Sequence, residues 1–149
     1  MSGIGGTGRK RIVKSPKLYF YDTGLLCHLL DLNETTQIEQ FHAKGSLFEN
    51  MVAAELIKNR FNVFRPASVY FWRDSNGNEV DFLIREAGKM HLLEAKYSFT
   101  PSAQFLKGIQ FLRAAAPHSK GKNVVLYAGD APQTRSDARI LSWRELHTL

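Results

Sequence analysis

Apolar residues recur along this chain on two different periods. Over "SLFENMVAAELIKNRF", residues 46–61, Leu47, Phe48, Met51, Val52, Ala54 and Leu56 return at three- and four-residue spacing. That spacing predicts a helix with a broad apolar stripe. In "DTGLLCHLLDL" the same period puts Leu25, Leu26, Leu29 and Leu30 on one face of a shorter helix, with Asp22 or Thr23 as its cap. A third helix starts at Thr100-Pro101 and turns Phe105, Leu106, Ile109 and Leu112 inward. Elsewhere the apolar positions alternate or run on continuously. They predict strands over 17–21 ("KLYFY"), 69–72 ("VYFW"), 78–84 ("NEVDFLI") and 90–98 ("MHLLEAKYS"), then over 123–129 ("NVVLYAG") and 138–143 ("ARILSW"). The unbroken run at 123–129 suits a central strand covered on both faces. Asn76-Gly77 in "RDSNGN" marks a hairpin turn. Residues 32–44 are polar and predict a loop, and "RELHTL" a short closing helix. Strands in the middle with helices before and after them predict an α/β domain, its mixed central sheet flanked by helices.

Composition narrows the class. The chain has 149 residues, one domain's worth, with 44% hydrophobic and 23% charged residues, as in ordinary globular proteins. A net charge of +6 suits a polyanionic partner. The single cysteine, Cys27, excludes an internal disulfide and fits a reducing cytosol. No apolar run approaches the roughly 20 residues of a membrane span, and no signal-peptide pattern opens the chain. The expectation is a cytoplasmic protein without a membrane partner.

Residues 1–14 read as a flexible basic leader, and 15–149 as the folded domain. Gly3 and Gly8 have the spacing of a phosphate loop, but Arg9, Lys10 and Arg11 follow where that loop needs Lys and then Ser or Thr. With Lys14 these residues form a basic run, a candidate nucleic-acid contact. The five histidines lack zinc spacing.

The chemistry concentrates in "NGNEVDFLIREAGKMHLLEAKYS". Strand alternation puts Glu79, Asp81 and Leu83 on one face and Val80, Phe82 and Ile84 on the other. A four-residue loop, Glu86 to Lys89, pairs Arg85 with Met90 and therefore Asp81 with Glu94 and Glu79 with Lys96. Like charges about 5 Å apart repel by around 3 kcal/mol at an effective dielectric near 20. Lys96 offsets part of that repulsion. A divalent cation offsets more, and hard oxygen ligands with positions left for water are what Mg²⁺ takes. Glu49 has two readings: partner of Ser46 in a capping box, or an acid beside the metal. Tyr70, Phe71 and Trp72 read as core, with Arg73 as a phosphate contact.

An Asp followed about a dozen residues later by Glu-x-Lys resembles the core of the PD-(D/E)XK nuclease superfamily, whose fold is restriction-endonuclease-like. The resemblance implies that Asp81 and Glu94 hold Mg²⁺ or Mn²⁺. It also implies that Lys96 positions the attacking water, that Glu49 completes the catalytic set, and that Gln110 supports it; Glu79 reads as a support for Lys96. Four stretches, "KSPKLYFYDTGLL", "GSLFENMVAAEL", "YFWRDSNGNEVDFLI" and "LLEAKYS", resemble more closely the C-terminal domain of a group of prokaryotic AAA+-type ATPases. Here Val80 stands where the named motif has proline. The implied partners are nucleic acid, DNA first, and an AAA+ ATPase module. The implied activity is metal-dependent phosphodiester hydrolysis; the alternative is a non-catalytic DNA-binding or docking appendage.

Overall fold

A computed structural model of the protein describes residues 16–149. Six strands form one mixed sheet: β1 (Val69–Arg73), β2 (Glu79–Glu86), β3 (Lys89–Lys96), β4 (Asn123–Tyr127), β5 (Gln133–Thr134) and β6 (Arg139–Ser142), in the order β1-β2-β3-β4-β6-β5. The first three make an antiparallel meander, while β3–β4 and β4–β6 pair in parallel. Of the helices, α1 (Thr23–Leu29), α2 (Thr35–Gln40) and α3 (Lys44–Asn62) precede the sheet, and α4 (Lys107–Ala115) makes the crossover from β3 to β4.

The sheet is covered on both faces. On one side α3 buries Phe48, Val52 and Leu56 against Phe82, Ile84, Leu93, Val124 and Leu126. On the other, Leu106, Ile109 and Leu112 pack on Val80, Leu83, Leu92, Val125 and Ile140. Strand β4 alternates between the two layers residue by residue, which explains its unbroken apolar run.

The hairpin register follows the sequence reading with a shorter turn. Glu86 pairs with Lys89 as well as Arg85 with Met90, so only Ala87 and Gly88 form the loop, both at positive φ. A two-residue turn of this kind carries the right twist for a hairpin. It has the same parity as the four-residue loop, so Arg85 still pairs with Met90, but the ladder ends at Phe82↔Leu93, short of the expected pairs Asp81–Glu94 and Glu79–Lys96.

Alternation along β2, by contrast, breaks. Tyr70 faces Leu83 but Trp72 faces Val80, so Phe71 lies opposite both Asp81 and Phe82. This is a β-bulge. As a result Val80 packs in the α4 layer and not with Phe82 and Ile84, and Leu83 sits with Val80. The strict two-residue period expected across 79–84 does not hold.

Residues 17–21 are not a strand. The backbone of Phe20 is satisfied by the buried side chain of Asn50: Phe20 N donates to Oδ1 at 2.7 Å, and Nδ2 donates to Phe20 O at 3.1 Å. One amide thus takes the place of a partner strand. The sixth strand is instead the two-residue β5 at the sheet edge. The segment 32–44 contains the short helix α2, with a capping box between Glu34 and Gln37. Helix α1 is capped by Asp22 as its sequence implies, but Leu25, Leu29 and Leu30 remain exposed. Residues 143–148 close the chain as a 3₁₀ helix.

Candidate functional site

The bulge puts Asp81 where β2 and β3 part company. Beyond Phe82↔Leu93 the two strands no longer pair as a ladder, and the Asp81 side chain fills the gap. Its Oδ2 accepts the Ala95 backbone N–H at 2.9 Å and lies 3.3 Å from Lys96 Nζ. Glu94 Oε2 takes the same ammonium at 2.6 Å. Two carboxylates thus converge on one cationic nitrogen at the end of β3, and both acids are buried.

Burial, and after it the neighbouring Asp81, push the Glu94 carboxyl well above the carboxylate range, to about 8. The attraction of Lys96 acts in the other direction and does not overcome them. Burial alone would lower the Lys96 pKa, but Asp81 and Glu94 outweigh it and hold the ammonium above its ordinary value. Glu94 therefore keeps its proton in the folded state at pH values where the unfolded chain has lost it. Stability from this source is complete below about 4.5 and is lost as pH rises toward about 8. Each pKa unit is worth about 1.4 kcal/mol, so the metal-free protein should lose more than that between about pH 5 and pH 8. Denaturant melts of wild type and Glu94→Gln would show it. The variant should give the flatter profile, and identical profiles would mean that Glu94 is ionised throughout.

A second lysine, Lys17, expected in the strand over 17–21, belongs to the same cluster. Lys17 Nζ bonds Glu49 at 2.8 Å, contacts Glu79 and lies 3.9 Å from Asp81 Oδ1. Tyr19 OH donates to Glu49 at 2.5 Å. Burial, then the Glu49 contact, raise the tyrosine pKa far above its usual value. The Asn50–Phe20 amide pair holds this segment on α3, one residue from Glu49. The only sequence signal for it was the alternation of Lys17 and Tyr19 with apolar neighbours, which also fits a strand.

The remaining expected residues divide. Glu49 lies at the cluster and not in a capping box, because α3 starts at Lys44, two residues before Ser46. Glu79 does not support Lys96; it binds Lys17 and, at 3.2 Å, Arg73 Nε. Arg73 is half exposed and tied to Glu79. Phe71 and Trp72 are core. Gln110 lies away from the cluster, donating to Asp137 at 2.8 Å. Gly108 is the α4 residue over Glu94, and two residues further on is about 200° around a helix. The basic run Arg9, Lys10, Arg11 and Lys14 lies outside the described residues.

Asp81, Glu49 and Lys96 open into a cleft of about 480 Å³ whose walls include His42, Lys44 and Tyr97. A second, more apolar cleft of about 470 Å³ borders Glu49 from the α1 side, lined by Leu18, Leu26, Leu30 and Phe41. The first exposes Asp81 and Lys96 together; Lys17 lines the second. Among the described residues no group of three or more His, Cys, Asp or Glu side chains is arranged to hold a metal ion. A divalent ion here would rest on Asp81 and Glu94, with water and substrate oxygens completing its shell. The donor set fits Mg²⁺, which is commonly held by one or two carboxylates plus phosphate.

A family model described as "Domain of unknown function (DUF4143)" matches residues 44–146, and another, "Domain of unknown function (DUF8612)", matches residues 3–36. The chain is 32% identical over 93 residues to the uncharacterized protein Mb2031c of Mycobacterium bovis, and equally so to the uncharacterized protein Rv2008c of Mycobacterium tuberculosis. These matches cover 62% of this chain but 20% of each relative, so the chain spans about a fifth of their length. No solved structure matches it. Among the described residues no helix is long and apolar enough to cross a membrane.

Proposed function

Because the chain belongs to the DUF4143 family, whose description assigns no activity, we propose a function from the site itself: metal-dependent hydrolysis of nucleic-acid phosphodiester bonds. The observation that carries this is the convergence of buried Asp81 and Glu94 on the Lys96 ammonium, at 3.3 and 2.6 Å. The fold is read as restriction-endonuclease-like, in keeping with the mixed sheet and its two helical layers. DNA is the expected substrate, and an AAA+-type ATPase module the expected partner in a longer protein; both follow from the resemblance of the four sequence stretches.

Each residue has a role that its chemistry permits. A bound Mg²⁺ or Mn²⁺ would polarise the phosphate and the attacking water. Asp81 and Glu94 would hold it, and Glu94 must give up its proton to do so. Lys96 is a donor only, so it orients the water and stabilises the charge that grows on the phosphate oxygens. Glu49 lines the same cleft and orders the second lysine. A second reading also has an observation behind it. Lys17 and Lys96 already compensate much of the acidic charge, which suits a binding or docking module that has no catalysis.

Thermal melts with and without Mn²⁺ decide whether the acids take a metal. A ligand present at 100 times its Kd stabilises the fold by about 2.7 kcal/mol, or several degrees in Tm for a chain of this size. Wild type should show that shift at millimolar Mn²⁺, and Asp81→Asn should not. Equal curves with and without metal for wild type would leave the docking reading.

A further inference from the structure

The Lys17 ammonium is surrounded by acids from three parts of the chain. Glu49 comes from α3, Glu79 from the start of β2, and Asp81 from the bulge. The ammonium has a further contact, because Nζ lies over the buried Phe71 ring, 5.5 Å from its centroid. The segment is also tied to α3 at two adjacent residues: the Tyr19 hydroxyl bonds Glu49, and the Phe20 backbone is clamped by Asn50. A surface lysine that happened to meet an acid would have neither the ring contact nor the clamp. One positive charge is therefore delivered near Asp81 Oδ1, the carboxylate oxygen that does not bond Lys96.

We infer that Lys17 is a built-in counter-ion of the site, and that a divalent cation enters by displacing its ammonium from Asp81 and Glu49. This rests on the metal reading above and adds its regulation. The two cations exclude each other for a simple reason. An ammonium beside Asp81 repels a divalent ion bound to the same carboxylate, so each can hold Asp81 fully only when the other has withdrawn. Lys17 has somewhere to go, since Glu79 is its third partner, held by Lys17 through Oε1 and by Arg73 through Oε2. The metal-free protein is thus neutralised from within, and metal affinity is set by the cost of moving one ammonium. A chain that alters that segment, or a partner that pulls on it, would tune metal loading without touching a metal ligand.

The test is the Mn²⁺ Kd of wild type, Lys17→Met, Lys17→Gln and Lys17→Arg, read from the electron paramagnetic resonance of free Mn²⁺, with folding followed by melting. Lys17→Met keeps an unbranched side chain of similar length and removes the charge. It should bind Mn²⁺ at least tenfold more tightly than wild type, a change of about 1.4 kcal/mol, and gain the larger Tm shift on metal addition. Lys17→Arg keeps the charge and should stay near wild type. Lys17→Gln can still donate to Glu49 and carries the comparison if the methionine variant does not fold without metal. Wild-type affinity or weaker in both uncharged variants would overturn the counter-ion role while leaving the metal site standing. No binding by wild type or by any variant would overturn the metal reading, and the counter-ion role with it.

Discussion

Alanine in place of Lys96 should lower Mn²⁺-dependent cleavage of DNA by about 100-fold or more while leaving DNA affinity close to wild type. The ammonium contacts both acids of the pair and extends from the last residue of β3 into the cleft. Its methylenes add little to the core, since the side chain is one-third exposed. A lysine serving only as a surface ion pair would cost under about 1 kcal/mol of stability and no rate. The two roles therefore differ in what they change. Asp81→Asn should abolish both cleavage and the response to metal, because it removes a ligand rather than a donor. Single-turnover rates and anisotropy titrations on wild type, Lys96→Ala and Asp81→Asn distinguish them. Equal cleavage by all three preparations would trace the activity to a contaminant and remove hydrolysis from the proposal.

Gly108→Ala should destabilise the protein by about 3 kcal/mol, although alanine is the better helix former by up to about 1 kcal/mol. The packing term wins because of what a Cβ would meet. It would lie 1.9 Å from the Glu79 carbonyl oxygen and 2.6 Å from Glu94 Oε1. Backbone cannot yield the way a flexible side-chain tip can, so α4 would have to lift from the sheet. Leu106, Ile109 and Leu112, all buried, would lift with it. The midpoint in a thermal melt should fall by roughly 6–12 °C. The same shift would move the end of β2 that carries Asp81 and the wall that encloses Glu94, so the metal-induced stabilisation should shrink as well. An unchanged or raised Tm would mean that α4 approaches the sheet less closely than described.

The sequence made the architecture readable wherever a period was clean. Strand β4 and helix α3 each carry one dominant pattern, and both appear at the expected positions. The pairing of β2 with β3 from Phe82 to Glu86 was readable because two turn lengths of equal parity give the same partners; that the ladder stops before Asp81 and Glu94 was not. The bulge was not readable. Nothing in "EVDFLI" distinguishes a regular strand from one with an extra residue at Asp81-Phe82, because the evidence of the shift lies in the partner strand. Lys17 was hidden for a related reason. Local pattern shows that a residue alternates with apolar neighbours; it does not show that the complementary hydrogen bonds come from an asparagine side chain 30 residues away. Glu49 was found because its helix was obvious, but its role turned on whether α3 began at Lys44 or Ser46. Boundaries of that kind are the least certain part of any pattern.

The bond between Lys17 and Glu49 also has a consequence for the order of events at the ribosome. Its two residues are 32 apart and lie wholly upstream of the sheet. Asp81 and Lys96, 15 residues apart on one hairpin, emerge later. At the usual pace of synthesis the intervening stretch takes a few seconds, long compared with the microseconds in which a helix forms. Helix α3 and its lysine strap can therefore be in contact before the acid-rich hairpin leaves the tunnel. The hairpin then closes cheaply, because its loop is short, whereas the parallel pairing with β4 must wait for α4 to be made. The acids thus collapse onto a positive charge that is already in place, so the nascent chain need not bury Asp81 unpaired while its last strands are still to come.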